Sequence, residues 1–178
     1  MRAFDRTVDA WVDRRRHPVA DRVFYGLSSA ADHGLLWMAI GAVREAVGCG
    51  PPGSAVRLVG VLATESALTN GPIKALFRRV RPALGPAPTG PLPYGLHRPM
   101  TSAFPSGHAT TAFTAAGYLS KGDPRAPVYH VLAAAVAASR VYVRLHHASD
   151  VVAGALLGVA FGRVARRFAP RGNSSPSG

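Results

Sequence analysis

Along the 178 residues, apolar positions gather into five stretches divided by polar or Pro/Gly-rich connections. Residues 34–49, "GLLWMAIGAVREAVGC", are broken by Arg44 and Glu45, which can pair with each other or reach a membrane boundary. Residues 54–73 carry Arg57 near one end and Glu65 midway, so this segment must turn a polar side to its neighbours. Residues 103–120, 126–145 and 148–168 follow, the last being the cleanest apolar run. Each approaches the ~20 residues with which a helix crosses about 30 Å of hydrocarbon. Small residues within them, including Ala137, Ala138 and the Gly154/Gly158 pair, favour close helix packing. The pattern predicts an all-α, polytopic membrane bundle of five to six helices. A soluble protein of wholly buried helices is the competing reading, since mean hydropathy is only +0.11.

Before the first stretch, Phe4, Val8, Trp11 and Val12 recur at helical spacing with Asp5, Arg6, Asp9 and Asp13 between them. That spacing predicts an amphipathic helix, interfacial or simply on the surface. The acids and arginines there leave no uninterrupted apolar core for a cleaved export signal. The chain therefore divides into an N-terminal interfacial segment (1–33), a membrane domain (34–168) and a flexible tail (169–178). Between the second and third runs, residues 81–102 are too rich in Pro and Gly for a helix and read as a loop.

The formal charge of +12 would ordinarily raise nucleic acid as a partner. Most arginines instead punctuate the ends of apolar runs, as loops of a membrane protein do, so the expected surroundings are a bilayer and not a nucleic acid. A single Cys49 excludes an internal disulfide framework and a Cys-based zinc site.

Chemistry gathers at the ends of the runs. Lys74, Arg78 and Arg81 fall at i, i+4 and i+7 and would share one face of a helix stopped by Pro82. Ser106, Gly107 and His108 open the third run, Ser139 and Arg140 lie near the end of the fourth, and His146 and Asp150 begin the fifth. Because successive spans alternate direction, all these positions lie at one membrane face. Fixed cations beside a Gly-containing helix N-terminus suit phosphate oxygens. A histidine there can attack phosphorus, with a carboxylate fixing its tautomer, and a second histidine can serve as proton donor. His146, His147 and Asp150 are also a conceivable metal set, although the surrounding cations disfavour it, and Ser106, His108 and Asp150 fit a hydrolase triad poorly.

Read together, "KALFRRVRP" from Lys74 to Pro82, "PSGH" at 105–108 and "SRVYVRLHHASD" from Ser139 to Asp150 resemble the three-part signature of the type 2 phosphatidic acid phosphatase superfamily. The resemblance covers roughly residues 55–165. It implies that Lys74, Arg81, Ser106, Gly107 and Arg140 hold phosphate, His146 forms a phosphohistidine, Asp150 orients it and His108 protonates the leaving alcohol. It also implies no metal and no cofactor, a lipid phosphomonoester or pyrophosphate substrate, and a multi-pass place in a bacterial plasma membrane. Arg78, Arg79 and Arg144 match no fixed position of the signature and read as substrate contacts or surface charge. Membrane members commonly have six spans, so residues 17–33 would supply the sixth or lie in the interface. "LSSAADHGLLW" at 27–37 is similar to the phosphatase module joined to diacylglycerol-kinase-like domains, which implies a glycerolipid phosphate. The alternatives are a vanadium haloperoxidase-like enzyme and a catalytically silent membrane protein that binds lipid phosphate.

Overall fold

Helix-forming runs broken by Gly and Pro become seven α-helices in the computed structural model, which describes residues 2–82, 96 and 101–169. Most of the long Pro/Gly-rich loop, His97 and the tail from residue 170 lie outside the described residues. Helix α1 spans Arg2–Asp13 and α2 spans Pro18–Ala30, the latter with Pro in its first turn and the His17 ring accepting the Val19 N–H at 3.3 Å. A short 3-10 turn, Asp32–Gly34, reverses the chain through left-handed His33 and Gly34 (φ 51° and 75°). Helix α3 (Leu35–Ala46) and α4 (Ser54–Leu68) follow as an antiparallel pair. The Glu45 carboxylate satisfies the start of α4, accepting the Gly53 and Ala55 N–H groups at 2.7 and 2.8 Å. Arg44 pairs across the bundle with Asp123 at 2.5 Å, so these two charges serve separate partners and do not pair with each other.

Helices α5 (Gly107–Leu119), α6 (Ala126–Tyr142) and α7 (Ala148–Ala165) complete the chain. Helix α5 runs through the centre, with Ala109, Ala112, Ala115 and Ala116 wholly buried against its neighbours. Its closest partner is α7, and the glycines of α7 explain why. A Cβ on Gly158 would stand 2.4 Å from the Thr110 carbonyl oxygen, and one on Gly154 would stand 2.5 Å from that of Ser106. Small residues let the two backbones touch, as the Gly154/Gly158 spacing anticipates. On the other side, Trp37, Leu58 and Leu62 fill the space between α3 and α4. Val128, Val131, Val152 and Leu156 remain exposed on α6 and α7, the arrangement that a lipid solvent favours. Helix α7 is long and apolar enough to cross a membrane, while α3 and α5, with 12 and 13 residues, are shorter than the apolar runs around them.

Helix α1 is not oriented by its apolar residues alone. Phe4 and Trp11 are about half exposed, at 52% and 51%, while Asp5 and Val12 are buried. Its acids take the inward positions because they face cations: Asp5 meets Arg79, and Asp9 meets Arg144 at 2.6 Å. Asp13 also pairs with Arg144.

Candidate active site

Glycine 71 and Pro72 decide where the first cationic cluster ends up. Proline has no N–H to give to the preceding turn, and α4 loosens here into a π-turn over Thr69–Ile73, with Gly71 at φ −90° and ψ −106°. The helix gives out by residue 76, and the chain beyond is irregular. The shared helical face expected for Lys74, Arg78 and Arg81 therefore does not form. Lys74 leaves the last helical turn, with Nζ donating to Asn70 Oδ1 at 2.7 Å. Arg81 arrives from the irregular segment, donating to the Leu145 carbonyl at 2.6 Å and standing 3.1 Å from His146 Nε2. Arg78 lies outside the cavity that these groups surround.

That cavity, of about 330 Å³, is lined by Lys74, Arg81, Gly107, His108, Arg140 and His146. Residues from all three sequence clusters thus meet at one end of the bundle. Gly107 opens α5 at a point where a Cβ would press on Asn70 at 3.1 Å and approach Lys74 Nζ at 3.6 Å, so glycine keeps a helix N-terminus open beside the ammonium group. Ser106 caps the same helix, its Oγ facing the Ala109 N–H at 3.5 Å, while its own N–H bonds the Asp150 carbonyl at 3.0 Å. Ser106 and Asp150 are fully buried and stand behind the wall of the cavity. Arg140 is buried as well, held by a hydrogen bond to the Ser28 hydroxyl of α2. A wider cleft of about 590 Å³ at the opposite end is lined by Arg44, Asp123 and Arg125 among others, and these charges are tied to one another.

His146 is placed by the irregular turn between α6 and α7, and not by a helix. Helix α7 begins at Ala148 with His147 as its cap, and the Asp150 carboxylate turns back to accept the His147 N–H at 2.8 Å. The expected one-face spacing of His146 and Asp150 is replaced by this cap. His146 Nδ1 lies 2.7 Å from the Ala103 carbonyl oxygen, which can only accept, so Nδ1 carries the proton and Nε2 presents its lone pair beside Arg81. Asp150 Oδ2 is 3.9 Å from Nδ1, an electrostatic neighbour beyond hydrogen-bond range. Burial, with the Arg81 and Arg140 charges, holds the His146 pKa down to about 3 against the pull of Asp150. The ring is therefore neutral at ordinary pH, with the Nε2 lone pair available.

Two further residues that hold no fixed position in the signature stand at or beside the site. Asp32, in the turn between α2 and α3, places Oδ1 3.2 Å from His108 Nε2 and lines the cavity. Contact with His108 lowers the Asp32 pKa to about 2, so the carboxylate stays ionised. Arg79 lies beyond the cavity wall, 2.6 Å from Asp150 and 2.5 Å from Asp5. The one sequence signal for Asp32 was its place in the "LSSAADHGLLW" stretch. Among the described residues no three His, Cys, Asp or Glu side chains gather as a metal site.

A profile of the PAP2 superfamily matches residues 54–174, a range holding all three clusters. The chain belongs to the PAP2 superfamily. Its fold is that of membrane PAP2 phosphatases. One such structure, the transmembrane PAP2-type phosphatidylglycerolphosphate phosphatase from Bacillus subtilis, superposes with a TM-score of 0.73 at 23% identity, covering 94% of this chain and 85% of that one. Another, LpxE from Aquifex aeolicus, gives 0.71 at 24% identity over 90% of this chain and 93% of its own. No curated protein matches by sequence. Within the PAP2 frame, the all-helical bundle with its polar cavity at one end agrees with the architecture read from the apolar runs.

Proposed function

We propose that this PAP2 protein is an integral-membrane hydrolase of lipid phosphomonoesters or pyrophosphates that works through a phosphohistidine. The supporting observation is a single one: a neutral His146, its proton fixed on Nδ1, presents Nε2 to a cavity walled by Lys74, Arg81 and Arg140. The three cations and the Gly107 N–H bind the phosphate oxygens, with Ser106 holding that helix end in place. Nε2 attacks phosphorus as the bond to the leaving oxygen breaks, and His108 hands that oxygen a proton. His108 then takes a proton from water, whose oxygen attacks phosphorus, breaking the P–N bond and releasing phosphate. Asp150 offsets the positive charge that grows on His146, and Asp32 offers the same support to a protonated His108.

A lipid fits better than a soluble ester because the cavity lining is mixed. Alongside the charged groups it is lined by Met38, Leu62 and Ala63 of α3 and α4, which suit the apolar part of an amphiphile. Residence in a bacterial plasma membrane accords with this substrate class. The proposed chemistry uses no metal or other cofactor. Purified protein in detergent is therefore expected to release inorganic phosphate from phosphatidate, phosphatidylglycerolphosphate or prenyl pyrophosphate in the presence of EDTA. His146→Ala should abolish release, and acid-labile phosphoenzyme should be trapped on the active protein. Full activity of the variant would overturn the mechanism, and bromide oxidation with vanadate and peroxide in place of phosphatase activity would favour the haloperoxidase.

A further inference from the structure

Arg79 sits outside the cavity, yet it is joined to both groups that face His146 Nδ1. One is the Ala103 carbonyl, which receives the Nδ1 proton at 2.7 Å. The Ala103 segment is fastened to the Arg79 backbone, since the Ala103 N–H donates to the Arg79 carbonyl at 2.9 Å and the Arg79 N–H donates to Ser102 Oγ at 3.2 Å. The other is Asp150, whose Oδ1 stands 2.6 Å from Arg79 Nη1, an ion pair set off the hydrogen-bond direction. The same nitrogen donates to Ser149 Oγ at 2.8 Å, which ties the guanidinium to the first turn of α7.

The remaining arm of the guanidinium is fixed from elsewhere. Arg79 Nη2 donates to Asp5 Oδ2 at 2.5 Å, and Asp5 also accepts the Ser149 N–H and Oγ–H at 2.9 Å each. Asp5 belongs to α1, some seventy residues away in sequence, and is almost completely buried. A carboxylate buried there without Arg79 and Ser149 would be costly, so the contact is a built one.

We propose that Arg79, locked by Asp5 of the N-terminal helix, is a positioning residue for the nucleophile, fixing Asp150 and the Ala103 carbonyl around His146 Nδ1. This rests on the reading of His146 as the nucleophile. Arg79 and Asp5 never touch substrate; they act by holding the imidazole at one angle and by keeping Asp150 from swinging into a full ion pair elsewhere. Displacement of a reacting group by about 1 Å costs on the order of 100-fold in rate, so a loosened Asp150 should register in turnover more than in binding.

Helix α1 provides its own control. Asp9 anchors the same helix to Arg144 at 2.6 Å and approaches His147 at 3.5 Å, without contact to Arg79 or Asp150. The full-length protein in detergent would be assayed as wild type, Asp5→Asn, Asp5→Glu, Asp9→Asn, Arg79→Gln and the Asp5→Asn/Arg79→Gln pair. Expected are a roughly tenfold or greater fall in kcat for Asp5→Asn with KM within about twofold, partial recovery in Asp5→Glu, and near wild-type kcat in Asp9→Asn. The double variant should be no slower than Arg79→Gln alone, because both changes cut one connection. Equal losses in Asp5→Asn and Asp9→Asn would show that α1 serves only to hold the fold, and a rise in KM at constant kcat would make Arg79 a binding residue; either result overturns the proposal. If Arg79→Gln does not fold, the Asp5 and Asp9 variants decide alone. Activity surviving in His146→Ala would instead defeat the underlying phosphohistidine reading, which keeps the two failures apart.

Discussion

On the proposed mechanism His108 carries a proton to the leaving oxygen, and Lys74, Arg81 and Arg140 share its cavity, so a carboxylate is needed nearby to balance the charge. Asp32 at 3.2 Å is the carboxylate in reach among the described residues. Asp32→Asn should therefore lower kcat on a lipid phosphate by about 10- to 100-fold. It should do little to hydrolysis of an aryl phosphate whose leaving group departs without a proton, and comparing the two substrates on one preparation checks this. The His146 shift gives a second expectation. Its folded pKa lies at about 3, below its ordinary 6.5, so between those values the unfolded chain binds the extra proton. Stability is complete above pH 6.5 and falls as pH drops through that window. His146→Asn removes this contribution, and its thermal midpoint should fall less steeply from pH 6.5 to 4. The meeting of Lys74, Arg81, Gly107, His108, Arg140 and His146 at one cavity was readable because polar groups at the mouths of apolar runs stand out. Arg79 was not, since its function depends on Asp5 and Asp150 from distant parts of the chain, and an arginine in a run of arginines carries no local mark.

At the level of elements, alternation of span direction was enough to bring three sequence clusters to one end, and helix packing through small residues was written in Gly154 and Gly158. Helix ends were harder to place. The apolar run through residue 73 gave no sign that Gly71 and Pro72 would open a π-turn, and the i, i+4 spacing of His146 and Asp150 looked helical although a cap separates them. Contact between α5 and α7 is where a small change should have the largest effect. Gly158→Ala puts a methyl 2.4 Å from the Thr110 carbonyl oxygen, too close for backbone to tolerate unmoved. Overpacking of this kind costs about 1–3 kcal/mol, measurable as a lower unfolding midpoint in detergent. Gly154→Ala meets the Ser106 carbonyl oxygen at 2.5 Å, so it should shift the Ser106–Gly107 turn, which the proposed mechanism uses for phosphate, and reduce activity more than Gly158→Ala does.

Across the whole molecule, apolar side chains of α6 and α7 face outward while paired charges close both ends of the bundle. The N-terminal helix packs at the end that holds the polar cavity, with Asp5 inward and Phe4 and Trp11 outward, which suits a helix lying at the lipid–water boundary. The lengths of the helices carry a further meaning. With 12 residues, and Leu35 and Val43 exposed on it, α3 rises only about 18 Å, against about 30 Å of hydrocarbon. Around α3 the bilayer is expected to pinch inward or admit head groups, and such local thinning would draw the phosphate level toward Asp32, just ahead of α3, and the His108 ring that it touches. Bilayer thickness should then act on turnover directly: reconstituted into vesicles of shorter-chain phospholipid, the protein is expected to work faster on the same substrate than in thicker ones, and a phosphate-release assay across a series of acyl lengths would measure the slope. If the substrate is the proposed lipid phosphate, a thick membrane would carry it above the level of His108 and His146, and a thin one would bring it to their depth.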